Sequence, residues 1–419
     1  MASSSMAGFF CIDAWRRVPR MAERPGTATV SALLLVRCVS CVVLWMDFTL
    51  VFAILAFSRG ASTLVVGLAA MIYALPGLML GPWIGALTDR LPAAPVLSGC
   101  YLLRAGTSIA IISCDSLGVM LGLIVLHGFS NLGAMPAEQI LVKKLLPEHH
   151  MVMNLRVVTI VDQAAKIGAP AFGGWVAQRF GSATGFWLSA SLVVPALICL
   201  EFLRSEGARS DRLHQGASRA PTERGQIWHL LRADETYRLA FAAAWIQTAV
   251  LGLYDPLLAL FLKGLGCGAA VFGQIVSATA LGGVAGAMAF RNATSRAGWR
   301  LVLYALIGFG LSVLVPGVLA GAGVRLPTAL LLGLWVINGL CYGITAMHFG
   351  VTQQAHCPAQ CIGAVTATAR SAQLTALAAG PMLGAMLATH LGIASVLVLA
   401  GAVSVAFGVV ASLRWRRPA

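Results

Sequence analysis

Charge is the scarcest property of this chain. Only 11% of its residues are Asp, Glu, Lys or Arg, against 58% hydrophobic, and mean hydropathy is +0.84. A soluble domain carries about one quarter charged residues, so most of this surface meets something other than water, and lipid is the simplest candidate. Short alternating apolar segments of the β-barrel kind are missing too. A Walker-type Gly-rich phosphate loop is absent, so an ATP-driven pump would need a separate subunit. No catalytic cluster gathers near one interface and no soluble sensor domain is appended, which argues against a membrane enzyme or a sensor. The first 26 residues lack an apolar core followed by a cleavage site, so they read as a tail and not a signal peptide, with Met21 as an alternative start.

What is present is apolar and long. Continuous runs of roughly 20 residues, rich in Gly and Ala, are spanning helices, because in hydrocarbon the backbone must satisfy its own hydrogen bonds. They are expected near 31–57, 64–87, 96–113, 117–141, 153–178 and 183–203, then near 237–262, 269–290, 299–320, 327–349, 360–388 and 391–413. The fold class is therefore an all-α polytopic membrane protein with twelve transmembrane helices. The expected division is a tail (1–29), a six-helix bundle (30–203), a polar linker (204–235), a second six-helix bundle (236–413) and a short tail (414–419).

The net charge of +14 is distributed as topology, not as a nucleic-acid surface. One side of this helix pattern holds Arg16, Arg17, Arg20, Arg24, Arg90, Lys143, Lys144, Arg291, Arg296, Arg300, the arginines from Arg204 to Arg238, and Arg414, Arg416 and Arg417. The other holds Arg59, Arg179, Lys263 and Arg325. The positive-inside bias places both termini in the cytoplasm. Ten cysteines are scattered, mostly in apolar runs where Cys acts as a small apolar residue. His356 and Cys357 with Cys361 have near-ligand spacing, which a short cytoplasmic loop explains as well as a metal does.

The two apolar blocks repeat. Gly81-Pro-Trp-Ile-Gly85-Ala aligns with Gly282-Gly-Val-Ala-Gly286-Ala at an offset of 201, which also carries Arg90 onto Arg291. Ala169-Pro170-Ala-Phe-Gly173 aligns with Gly380-Pro381-Met-Leu-Gly384 at an offset of 211, which carries Gly181 onto Gly392. Repeats separated by six helices share orientation, and such parallel halves are a known transporter plan, with substrate bound between them.

These residues resemble the major facilitator superfamily. Gly85-Ala-Leu87-Thr-Asp89-Arg90 is similar to the first part of its loop signature between helices two and three, while the distal basic residues of that signature are replaced by Pro92, Ala93 and Ala94. In the family the aspartate pairs with nearby charge to hold one conformer; here that lock is weaker, or Lys143 and Lys144 substitute. Gly168-Ala169-Pro170-Ala-Phe-Gly173-Gly174 resembles the antiporter signature of facilitator-type efflux pumps, with Ala169 where a glycine is usual. The resemblance covers residues 30 to 413 and looks closest to the bacterial drug, macrolide and siderophore exporters. It implies export over import, from the bacterial inner membrane.

Ionisable groups inside a membrane are costly, so each is a functional candidate. Asp47 lies mid-way along the first helix with no cation one turn away, and Asp255 in Tyr254-Asp255-Pro256 is its counterpart in the second half. Each is a proton- or substrate-coupling carboxyl, or a hydrogen-bonded one that only orders helix contacts. Asp162 and Lys166 share a face of the fifth helix and either neutralise each other or couple. Arg104 is a candidate anchor for an anionic substrate or a partner of Asp47 or Glu138. Glu138 is expected as a solvated carboxylate, and Arg370 as a charge that pairs with the first half in one conformer. His127 falls where the family's fourth helix often has an arginine, and a lone buried histidine is more often structural. Asn131, Asn338, Gln353 and Gln354 are candidate cavity residues, and Trp45, Phe48, Trp245 and Tyr254 are candidate aromatic lining.

The reading is a secondary transporter: proton-coupled export of a siderophore-like or drug-like molecule by alternating access, with an importing permease as the alternative. The implied partners are a small-molecule substrate, protons and the bilayer, with no nucleic acid, no metal and no cofactor beyond the proton gradient. Substrate identity and oligomeric state are not encoded legibly.

Overall fold

The computed structural model describes residues 27–88, 91–145, 148–210, 226–289, 296–356 and 362–414, and among these every regular element is helical. In chain order they are α1 (Thr27–Ala53, prolonged by a π-helical turn Ile54–Ser58), α2 (Thr63–Thr88), α3 (Ala93–Ile112), α4 (Leu117–Leu145), α5 (Glu148–Phe180) and α6 (Ser182–Ser210). After the short α7 (Gln226–Ala233), α8 (Glu235–Tyr254), a 3-10 turn (Asp255–Leu257) and α9 (Leu258–Gly264) form one rod. Then come α10 (Ala269–Ala289), α11 (Arg296–Gly321), α12 (Thr328–His356), α13 (Ile362–Leu391) and α14 (Ile393–Arg414). Ten of the rods are long and apolar enough to cross a membrane; α4 adds the shorter run Leu117–Asn131, and α5 carries Asp162 and Lys166 in its middle.

The rods match the expected spans but overrun them on the charged side. α5 starts at Glu148 and α6 runs on to Ser210, into the segment read as linker. A helix can continue into water once its apolar part has set its axis, so hydropathy alone ends it early. The N-cap of α8 also falls in that segment. Asp234 accepts the Tyr237 amide at 2.9 Å and lies 2.5 Å from His356 Nδ1. Partial burial pushes the Asp234 carboxyl up, but the Tyr237 amide and His356 outweigh it and hold the group below its ordinary value. Residues 1–26, 211–225 and 415–419, with Asp89, Arg90, Cys357 and Cys361, lie outside the described residues.

Successive rods reverse direction, so α1 begins and α14 ends at one end of the bundle, the tail end. At the opposite, loop end the reversals are tight. Gly181 (φ +89°) is the only residue between α5 and α6, and Gly392 (φ +82°) the only one between α13 and α14. A Cβ is disfavoured in that left-handed conformation, which explains why both positions of the repeat are glycine.

Each half builds its own core. In the first, α1 packs on α5 and α6, α2 on α4, and α3 on α4 and α6; in the second, α8 packs on α13, α10 on α12, and α11 on α12 and α14. Met46, Leu50 and Phe186 are fully buried in the first half, as are Tyr254 and Phe309 in the second. Outward-facing Ile198, Met288, Tyr304 and Val403 leave an exposed apolar belt of the kind that lipid covers.

The halves meet through α5 with α10 and α2 with α13. At Gly174 an added Cβ would stand 2.6 Å from the Ala269 carbonyl oxygen, and at Gly273 one would stand 2.2 Å from that of Pro170. At Gly67 it would meet the Pro381 carbonyl at 2.6 Å. These approaches lie in the loop-end part of the helices, as do hydrogen bonds across the seam. The Ala171 amide donates to Ser277 Oγ (3.0 Å), the Ala270 amide to Gln178 Oε1 (2.9 Å), and Lys263 Nζ to the Ala56 carbonyl (2.6 Å).

Candidate functional site

Asp47 is the centre of a closed polar network inside the first half. It exposes no surface. Its Oδ1 accepts the Ser189 hydroxyl from α6, while Oδ2 lies 3.3 Å from His127 Nε2 of α4 and 3.7 Å from Arg104 Nε of α3. Arg104 also donates to Asn131 Oδ1, and the Asn131 amide donates to the Tyr73 hydroxyl at 3.0 Å. The Tyr73 ring stacks on His127 with centroids 6.0 Å apart. Of the two partners weighed for Arg104, the fold sets it against Asp47 and not Glu138. His127 and Ser189 complete the network.

Thr107 joins the same network: its hydroxyl lies 2.9 Å from the Arg104 carbonyl oxygen and 2.9 Å from His127 Nδ1. His127 Nε2 faces Asp47 Oδ2 at 3.3 Å, and among the described residues neither atom has another hydrogen-bond partner.

A second cluster lies nearer the tail end. Arg37 of α1 places its guanidinium 3.0 Å from Glu138 and 3.9 Å from Asp162, and the Cys41 thiol donates to Asp162 Oδ1 at 3.6 Å. Glu138 is buried, which corrects the expectation of a solvated carboxylate; a cation on a neighbouring helix makes that burial tolerable. Asp162 is only partly covered. It does not form an ion pair with Lys166 despite their shared face, because Lys166 turns to the Trp45 ring, its Nζ 4.7 Å from the centroid. Lys166 still lies in the field of Asp162, and more weakly in that of Asp255 and Arg370 of the second half. Arg37 was not among the expected residues, although an arginine well inside an apolar run was a legible signal.

In the second half Tyr254 is wholly buried, which removes it from the expected lining: its hydroxyl donates to Asn338 Oδ1 (3.3 Å), and the Asn338 amide donates to Ser312 Oγ (3.0 Å). Asn338 and Gln353 are buried too. Trp245 is exposed and ties its indole N–H to the Ala372 carbonyl at 3.1 Å. Trp45 and Phe48 are half-buried, and the side chain of Gln354 lies outside the described residues.

The antiporter-like segment is a seam. Gly173 rests on Met46 of α1, Gly174 on α10, and the Pro170 carbonyl on Gly273, while Gly168 has nothing within 4 Å of where a Cβ would stand. The matched Gly384 of α13 rests on Leu253 of α8. In the loop signature Gly85 and Leu87 continue α2, whereas Asp89 and Arg90 lie outside the described residues. Among the described residues no His, Cys, Asp and Glu side chains gather in a group able to hold a metal ion.

Two helical halves of apolar spans, meeting along small-residue seams with buried charge in the first, form a multi-pass membrane protein. The chain belongs to the Major Facilitator Superfamily, whose family model matches residues 33–374. It is 25% identical over 379 residues to the uncharacterized MFS-type transporter YfiS of Bacillus subtilis (strain 168), covering 87% of this chain and 88% of that one. Its fold is similar to that of the nucleoside transporter NupG, with TM-score 0.70 at 12% identity, covering 94% of this chain and 100% of that one. It is also similar to a bacterial homolog of the human lysosomal transporter Spinster in an inward-facing and unoccupied conformation. There the TM-score is 0.66 at 13% identity, with 93% and 95% covered.

Proposed function

We propose that this transporter is a proton-coupled secondary carrier that exports a siderophore-like or drug-like small molecule across a bacterial inner membrane by alternating access. The observation that carries the reading is the Asp47 carboxyl set 3.3 Å from His127 Nε2, with neither side chain exposed. A carrier needs a proton site whose occupancy favours one facing state, and a substrate that favours the other. The pair also has a mechanical route to the seam. Gly173 touches Met46, the residue before Asp47, and the next residue on α5, Gly174, touches α10 of the other half. Loading or losing the proton shifts α1 against α5, and α5 bears on α10.

Direction rests on two supports. The positive-inside bias assigns the tail end, with both termini, to the cytoplasm. Close approach at the loop end is then closure toward the outside, the state in which an exporter loads. The antiporter-like segment around Pro170, in the manner of bacterial drug, macrolide and siderophore exporters, favours export. Asp162 and Asp255 are secondary proton sites. The importing permease differs only in the direction of coupled flux, so one experiment separates the two.

Purified protein in proteoliposomes under an imposed pH gradient, challenged with siderophores and drugs, should show substrate-triggered proton movement opposed to substrate flow. Asp47→Asn should abolish it. Substrate and proton moving together would make the protein an importer, and coupled flux that survives Asp47→Asn would remove Asp47 from the mechanism.

A further inference from the structure

Helix α10 begins without a cap of its own. The first N–H groups of a helix have no partner within it, and the residue just before the helix commonly offers a side-chain oxygen to one of them. Here that residue is Gly268. Its carbonyl accepts the Val271 and Phe272 amides at 3.1 and 3.4 Å, but it has no side chain to offer. Backbone conformation does not explain the glycine, because Gly268 lacks the positive φ that Gly266 has (+78°). Its surroundings do. A Cβ at Gly268 would stand 2.6 Å from Gln178 Oε1 and 3.1 Å from Gln178 Cδ. That oxygen, near the end of α5 in the other half, accepts the Ala270 amide at 2.9 Å. Ala270 is the second residue of α10, a position that a cap ordinarily serves. Gln178 therefore caps α10 across the seam, and Gly268 leaves room for it.

A cap supplied from within the second half would survive any movement of one half against the other. This one does not, because its donor and acceptor belong to different halves. It lies at the loop end, where Ser277 and Lys263 likewise join a side chain of the second half to the backbone of the first. The Gln178 contact differs from those in being exposed at the rim. Its side chain can be changed, or pushed aside, without disturbing the core.

We propose that Gln178 sets the balance between facing states: it caps α10 only while the loop end is closed, so opening that end leaves the helix uncapped. It is a positioning residue and touches no substrate. The proposal rests on the alternating-access reading above and holds for export and import alike.

The test is a distance distribution by double electron–electron resonance on the purified full chain in nanodiscs, without native cysteines and with spin labels at Ser116 and Ala322. Gln178→Leu, similar in length but without an acceptor, should raise the ratio of long to short distances roughly three- to tenfold. Gln178→Glu keeps the acceptor and adds the charge that a helix N-terminus favours, so it should not raise the ratio. Gly268→Ser supplies a cap within α10 and displaces Gln178. It should open the loop end as far as Gln178→Leu does, the double variant no further, while keeping the thermal midpoint of the wild type. A purely structural cap predicts the reverse for Gly268→Ser, a helix still capped and distances unchanged, and that result overturns the proposal. Two distance populations in the wild type that none of the variants shifts would sink the proposal and leave alternating access standing. One short distance in the wild type and every variant would sink both.

Discussion

Lys263 Nζ of the second half sits 2.6 Å from the carbonyl oxygen of Ala56 in the first. The π-helical turn makes that oxygen available. Arg59 N–H returns to Ile54 and Ala61 N–H to Leu55, which passes over the Ala56 carbonyl and leaves it for the lysine. A hydrogen bond with a charged donor contributes about 1.5–3 kcal/mol. Lys263→Met should therefore shift the equilibrium away from loop-end closure by roughly 10- to 100-fold. Spin labels at Ser116 and Ala322, in a background without native cysteines, should report a longer distance population. An unchanged distribution would make the contact incidental.

The glycine seam makes a sharper distinction within one motif. Gly168 and Gly174 both belong to the antiporter-like segment, yet a Cβ at Gly168 meets nothing within 4 Å while one at Gly174 meets the Ala269 carbonyl at 2.6 Å. Gly174→Val should block closure at the loop end and abolish transport, whereas Gly168→Ala should transport normally. The same label pair, with uptake and efflux of the substrate found, checks both. Equal loss in the two variants would mean that the motif acts through something other than this contact.

Removing one partner of a buried pair leaves an uncompensated charge, at a cost of about 3–5 kcal/mol. Arg104→Ala should lower the thermal midpoint by that measure, because Asp47 keeps only His127 and Ser189. The double variant Asp47→Asn with Arg104→Gln should recover most of the loss, since it removes both charges at nearly constant shape. A double variant no better than Arg104→Ala would show that Asn131 and Tyr73, not the charge, carry the stability.

The helices were legible because each membrane crossing writes a long apolar run, and Asp47 was legible because a carboxylate interrupts one. Its environment was less so. Arg104 was a candidate partner on the third helix, but Ser189 is an ordinary residue in an apolar stretch and His127 reads as structural until the fold sets its Nε2 against Asp47. Glu138 looked solvated because it lies near a helix end, and only the approach of Arg37 from α1 explains its burial. The closed end was out of reach altogether: Lys263 binds a backbone oxygen, which no side-chain pattern announces.

Acid should act on the tail end through Asp234. Its carboxyl is held below the ordinary 3.8 in the folded protein, so the stability it supplies is fully present above that value and is lost as pH falls through the lower folded one. Asp234→Ala should cost about 1 kcal/mol at neutral pH as a lost helix cap and flatten the acid limb of the unfolding midpoint. Asp234→Asn should keep the cap but lose the pH dependence. An acid limb identical to wild type in both variants would place the sensitivity in another carboxylate.

The seam between α5 and α10 sits close to one end of each helix, and this makes it a fulcrum. Gly273 is sixteen residues from Ala289, roughly 24 Å of helix at 1.5 Å per residue. A tilt of about 10° at that point carries the far end of α10 through roughly 4 Å, and an opposite tilt of α5 doubles the change. Two glycines with no side chains to interlock permit that rotation with little repacking, so a small turn at the seam becomes a displacement of several ångströms at the far end.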